Sequence, residues 1–248
     1  MQKSQKSLIL FILFLLFAPI HAFADGNQSV QSFDKAKKLL MSSVYNDYHT
    51  TFYCQGTFTP SGEISQTPEG FTAEKHQSRA KRVEWEHVVP AENFGRAFAA
   101  WRDGDPLCVS SKGKTFKGRN CAEKVSTEYR FMQADMHNLV PAIGAVNAAR
   151  QNYNFTMLPE ANASFGSCEM KIAGTKVEPP DHSWGAIART YKYMDWAYPQ
   201  YNMSKQQRRL MDAWDSMYPV TEWECVREQR IASLQGNSNP FVARQCAR

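Results

Sequence analysis

Apolar positions recur close to the helical period in several stretches of the chain. From Ser32 to Tyr48, the residues Phe33, Ala36, Leu39, Leu40 and Val44 mark one face of a first helix. Ser32 is placed to cap it, and Asp34 suits its first turn. Phe94, Phe98 and Trp101 share a face over Ala91–Trp101, and Glu128–His137 also reads as helix. Trp184–Trp196 carries Ile187, Tyr191 and Met194 on one stripe. Ser204 caps a further helix, whose apolar face is Leu210, Met211, Trp214, Met217 and Tyr218 and which Pro219 stops. These Met and aromatic stripes are core faces. Strand character belongs to Val83, Trp85, Val88 and Val89, ended by Pro90, and to Leu139-Val140-Pro141, which a short helix over 143–150 follows. Residues 55–70 and 103–120 are rich in turn formers and read as loop, and 154–174 has no clear period. The sum is a mixed, largely helical α+β chain with no repeat and no dividing linker.

The first 24 residues stand apart. Lys3 and Lys6 precede a short apolar block from Leu8 to Pro19, and Ala22-Phe23-Ala24 supplies small residues at an A-x-A site. This layout predicts an export signal over 1–24 and a mature chain from Asp25, taken as one domain over 25–248. The apolar run is short for a membrane span of roughly 20 residues. Formal charge is +5, of which Lys3 and Lys6 supply two units. That excess suits polyanion binding only if the basic groups cluster. Six cysteines in an exported chain imply a disulfide framework with 15 possible pairings. Short loops suggest Cys108–Cys121 and Cys225–Cys246, which leaves Cys54 with Cys168. A zinc site is the weaker reading, since there is no C-x-x-C pair and no His at ligand spacing from a Cys.

Candidate chemistry sits at Glu86-His87. A carboxylate suits a hard cation such as Mg²⁺, and an imidazole suits proton transfer near neutral pH. The flank of Arg79, Lys81 and Arg82 suits phosphate. Together they point to metal-assisted hydrolysis of a phosphodiester. Alternation is a difficulty, because neighbours on an ideal strand face opposite sides. Glu86 and His87 can serve one phosphate only if the backbone twists, bulges or stops there.

The segment Glu84 to Gly95 (EWEHVVPAENFG), read with Met132 to Asn147 (MQADMHNLVPAIGAVN), resembles the bacterial endonuclease I family. Ala186–Tyr191, Ser204–Gln207 and Thr221 to Val242 continue the likeness in order along the chain. The resemblance implies a ββα-metal (His-Me finger) motif, carrying His87 and Asn147, and the same disulfide pairing. It implies His87 as general base, with Glu86 and Asn147 holding one Mg²⁺, for which Mn²⁺ or Ca²⁺ could substitute. It implies a monomeric periplasmic or secreted enzyme that cuts double- and single-stranded DNA, and usually RNA, leaving 5′-phosphate and 3′-hydroxyl ends.

Arg119 is the candidate phosphate clamp, since a guanidinium fork holds two phosphate oxygens. The family pattern places this Arg three residues before the Cys matching Cys121. Here it stands two before, so Gly118 takes the expected place and Lys117 is a second substrate-binding candidate. Gln133 stands where the family commonly has Glu. If that position acts through its backbone carbonyl on His87, Gln is harmless. If it acts through a carboxylate, the site is weakened. The competing reading is therefore a secreted nucleic-acid-binding protein of the same fold that has lost its chemistry. His137 and Asn138 are expected to tie the two strands together.

Overall fold

The computed structural model describes residues 26–247; the expected export signal over 1–24 lies outside them. The Ser32 hydroxyl accepts the Lys35 N–H and caps α1 (Phe33–Leu39), which continues as a π-helical turn to Val44. Residues 55–70 form a small hairpin, β1 (Thr57–Phe58) and β2 (Ile64–Gln66). Then come β3 (Val83–His87), α2 (Ala91–Gly95), α3 (Ala99–Arg102), α4 (Arg119–Val125) and α5 (Thr127–Gln133). They are followed by β4 (Leu139–Ile143), α6 (Gly144–Arg150), β5 (Asn154–Phe155), β6 (Ala163–Phe165), β7 (Cys168–Ala173) and β8 (Lys176–Glu178). The chain closes with α7 (Trp184–Ala197), α8 (Lys205–Met217), α9 (Glu222–Gln235) and α10 (Pro240–Cys246).

β3 and β4 pair antiparallel, with Glu84 opposite Ala142, Glu86 opposite Val140 and His87 opposite Leu139. α6 follows β4 without a loop, which completes the ββα unit. The ribbon lies between two apolar clusters. Leu139 belongs to a smaller one with Leu40, Tyr45 and Ile231, against which Val83 and Trp85 also pack. Val140 and Ala142 belong to the larger one, which holds Phe94, Tyr129, Ile187 and Trp214. On β3 the apolar Val83 and Trp85 alternate with Glu84 and Glu86, so one face packs and the other carries carboxylates. The three disulfides are Cys54–Cys168, Cys108–Cys121 and Cys225–Cys246.

Several expectations change. Strand β3 ends at His87, two residues earlier than expected. Beyond it, polar groups replace the sheet ladder: Asn138 pairs with both backbone groups of Val89, and Arg150 takes the His87 and Val88 carbonyls. The expected helix over 91–101 is two short ones. Phe98 adopts extended backbone between them, and Phe94, Phe98 and Trp101 all pack on the Tyr129 ring. α5 stops at Gln133, before a 3₁₀ turn at Met136–Asn138. Arg119 opens α4 instead of lying in a loop, and the aperiodic stretch after residue 153 forms most of a four-stranded sheet in the order β5-β8-β7-β6. Met217, expected in the core, is 62% exposed, while Met211 and Trp214 on the same helix are buried.

Cys54–Cys168 links residues 114 positions apart, against 13 for Cys108–Cys121. Closing a longer loop restrains the unfolded chain more. Replacing both members of the long pair with Ala should cost about 5 kcal/mol, against about 3 for the short pair, in guanidinium unfolding of each double variant.

Candidate active site

The alternation of β3 sorts the site. Glu84 and Glu86 face α6, while His87 turns toward α1 and α5. A cleft of about 580 Å³ runs along β3, lined by all five of its residues and by Arg119, Asn147 and Arg150 among others. Glu86 and His87 thus reach one cleft although neighbours on a strand point to opposite faces.

His87 is 6% exposed. Its Nε2 donates to the Gln133 carbonyl at 2.9 Å, which leaves Nδ1 as the nitrogen able to take a proton. The ring lies 5.0 Å from the Phe33 ring and 6.3 Å from Phe94. Burial pulls its pKa down to about 3, and the charge of Arg119 adds to that. The imidazole is therefore neutral at physiological pH. The Gln133 side chain is occupied elsewhere, accepting the Tyr129 hydroxyl at 3.0 Å. Position 133 thus meets His87 through a group that every residue possesses.

Glu86 is 4% exposed, and burial pushes its carboxyl up to about 7 against the pull of Arg150. Oε1 accepts from Arg150 at 2.7 Å and faces the Tyr53 hydroxyl at 3.5 Å. Arg150 is fully buried. It also donates to the His87 and Val88 carbonyls, at 2.7 and 2.6 Å, and lies 4.6 Å from the Phe155 ring centre. Sequence reading missed this residue. Its signal was the spacing: Asn147 and Arg150 sit three apart on α6 and so share a face, opposite two carboxylates two apart on β3.

Asn147 is half-buried, and its Nδ2 donates to Glu84 at 3.0 Å. Among the described residues no hydrogen bond claims Asn147 Oδ1 or Glu86 Oε2. Two hard oxygens on one cleft, one from a desolvated carboxyl that a further cation would stabilise, fit Mg²⁺, which needs few protein ligands. Among the described residues no group of three His, Cys, Asp or Glu side chains could hold a metal, so the donor set is not that of a zinc site.

Arg119 is exposed and lines the cleft. Gly118 before it has φ 79° and ψ −153°, a conformation open in practice to glycine alone, and this turn starts α4 with Arg119 as its first residue. Burial raises the pKa of the Tyr129 phenol, and the charge of Arg119 opposes that rise. Lys117 does not line this cleft; it borders a separate depression beside Asp103 and Asp105. Asn138 joins the end of β3 as expected, whereas His137 turns to Asn237 and Glu228.

A ββα unit carrying a neutral, carbonyl-anchored histidine beside two oxygen donors and an arginine has the parts of a phosphodiesterase centre. The profile of the Endonuclease I family matches residues 25–246. An extracellular deoxyribonuclease of Aeromonas hydrophila is 39% identical over 96% of this chain and 97% of its own length. A periplasmic deoxyribonuclease of the same organism is 38% identical over 96% and 94%. Endonuclease-1 of Buchnera aphidicola from Acyrthosiphon pisum is 35% identical over 88% and 83%. The chain belongs to the endonuclease I family.

Two predictions follow from this geometry. Arg150→Met would strand the buried Glu86 carboxylate and two carbonyls, and should cost about 3–5 kcal/mol in denaturant unfolding. Gln133→Glu restores the commoner side chain but leaves the carbonyl unchanged, so its cleavage rate should match the parent's in a side-by-side plasmid assay.

Proposed function

We propose that this chain is an exported, Mg²⁺-dependent endonuclease that hydrolyses DNA, double- and single-stranded, and RNA as a second substrate. The observation that carries the reading is His87: neutral, held by Nε2 on the Gln133 carbonyl, with Nδ1 free and Glu86, Asn147 and Arg119 lining the same cleft. The relatives' names, deoxyribonucleases of the periplasm or the medium, support the substrate and the compartment. No helix among the described residues is long and apolar enough to cross a membrane.

In this mechanism His87 Nδ1 takes a proton from a water whose oxygen attacks phosphorus in line with the leaving 3′ oxygen. The P–O3′ bond breaks, the 3′ oxygen takes a proton from solvent water, and the product ends are a 5′-phosphate and a 3′-hydroxyl. Arg119 holds non-bridging phosphate oxygens and meets the charge that grows on them. Glu86 and Asn147 would hold the metal, which when bound would neutralise charge developing in the reaction. Arg150 draws Glu86 toward its ionised form and aims it. These groups address the sugar–phosphate backbone, which carries no sequence information, so cleavage is sequence-tolerant. The binding-protein alternative rested on Gln133 and the shifted Arg119. A carbonyl contact and a cleft-lining guanidinium leave it without a specific observation in its favour.

The test is digestion of supercoiled plasmid by the oxidised protein. Mg²⁺ should support it and EDTA abolish it, and His87→Ala should lower the rate by roughly 10²–10⁴-fold. A folded parent protein that shifts plasmid in a gel yet never cuts it, with Mg²⁺ present, would sink the enzymatic reading.

A further inference from the structure

Glu84 is a cleft residue to which the mechanism above gives no task. It lies two positions before Glu86 and so on the same face of β3. Arg79 binds it through Nε at 2.9 Å and through a second nitrogen, and Arg82 binds it through Nε at 3.1 Å. Its other close partner is the Nδ2 of Asn147, at 3.0 Å. The fold makes room for this carboxylate. A Cβ on Gly144, the first residue of α6, would come within 2.9 Å of the Glu84 carboxyl and 2.5 Å of the Arg79 carbonyl.

The Asn147 contact has a direction. A side-chain amide has one end that donates and one that accepts, and only the oxygen can ligate a cation. Giving Nδ2 to a carboxylate fixed by two arginines commits Oδ1 as the end left for the cleft. Without that acceptor the amide can turn over and present nitrogen. The same arginines occupy both Glu84 oxygens, so Glu84 itself is not a third ligand. Groups that orient metal ligands in this way commonly set affinity by 10–100-fold.

We propose that Glu84 is a positioning residue that holds the Asn147 amide with Oδ1 toward the cleft, and so sets the affinity of the site for a hard divalent cation. This rests on reading Glu86 and Asn147 as the ligands.

The experiment is a titration of Mn²⁺ into the full oxidised protein, with free Mn²⁺ followed by electron paramagnetic resonance and folding checked by circular dichroism. Glu84→Met removes the acceptor and keeps the volume, Glu84→Ala removes both, and Glu84→Gln keeps an acceptor. Glu84→Met and Glu84→Ala should each weaken binding by about 10–100-fold, while Glu84→Gln stays close to the parent. The double variant Glu84→Met/Asn147→Ala should bind no more weakly than Asn147→Ala alone, because one residue acts through the other. Parent-like affinity in Glu84→Met beside weakened binding in Asn147→Ala overturns the proposal and leaves the ligand pair standing. So does a double variant whose losses multiply. Parent-like binding in Asn147→Ala removes the ligand pair and the proposal together.

Discussion

The ion pair between Arg150 and Glu86 is the constraint on which the site depends. Two opposite charges lie in the interior, and neither can be removed alone without leaving the other unpaired. The same guanidinium takes the His87 and Val88 carbonyls, so it replaces the sheet ladder at the point where β3 ends. One side chain therefore fixes where the strand stops, how α6 sits against it and where the Glu86 carboxylate points. The neighbouring Glu84–Asn147 contact repeats this arrangement one step along both elements.

His87 is held by a different logic. Its anchor is a backbone carbonyl, and its surroundings are rings from α1 and α2. Desolvation keeps it uncharged, while the carbonyl selects which nitrogen carries the hydrogen. Neither effect asks for a particular side chain at position 133. This is why a substitution that looks damaging in the sequence leaves the local geometry whole. The Glu86 carboxylate and the His87 ring are thus supported by separate parts of the fold that meet at the cleft.

Much of this was legible from the residues. The periods of α1, α7 and α8 follow from apolar stripes, with a capping Ser at α1 and α8, and the short disulfide loops follow from cysteine spacing. Other features were hidden for physical reasons. The strands of the four-stranded sheet run from two to six residues, too short to show alternation. The length of β3 was misread because Val88 and Val89 are as apolar as strand residues, yet the Val88 carbonyl and both backbone groups of Val89 are met by side chains, of Arg150 and Asn138. Arg150 itself drew no assignment. Its role needs the register of β3 on β4, which sets two acidic residues against α6 and which sequence pattern alone does not supply.

That register also bears on how such a chain can change over time. Between Val83 and His87 a one-residue insertion or deletion would exchange the two faces, sending the imidazole to where the Glu86 carboxylate belongs. Length variation there is closed off. The segment before Arg119 is different: it is pinned by Cys108–Cys121, and Gly118 absorbs an awkward turn just ahead of the helix. A lost residue there moves the arginine's position in the sequence and still leaves it on the cleft. A change of length is thus absorbed more readily ahead of Arg119 than along β3.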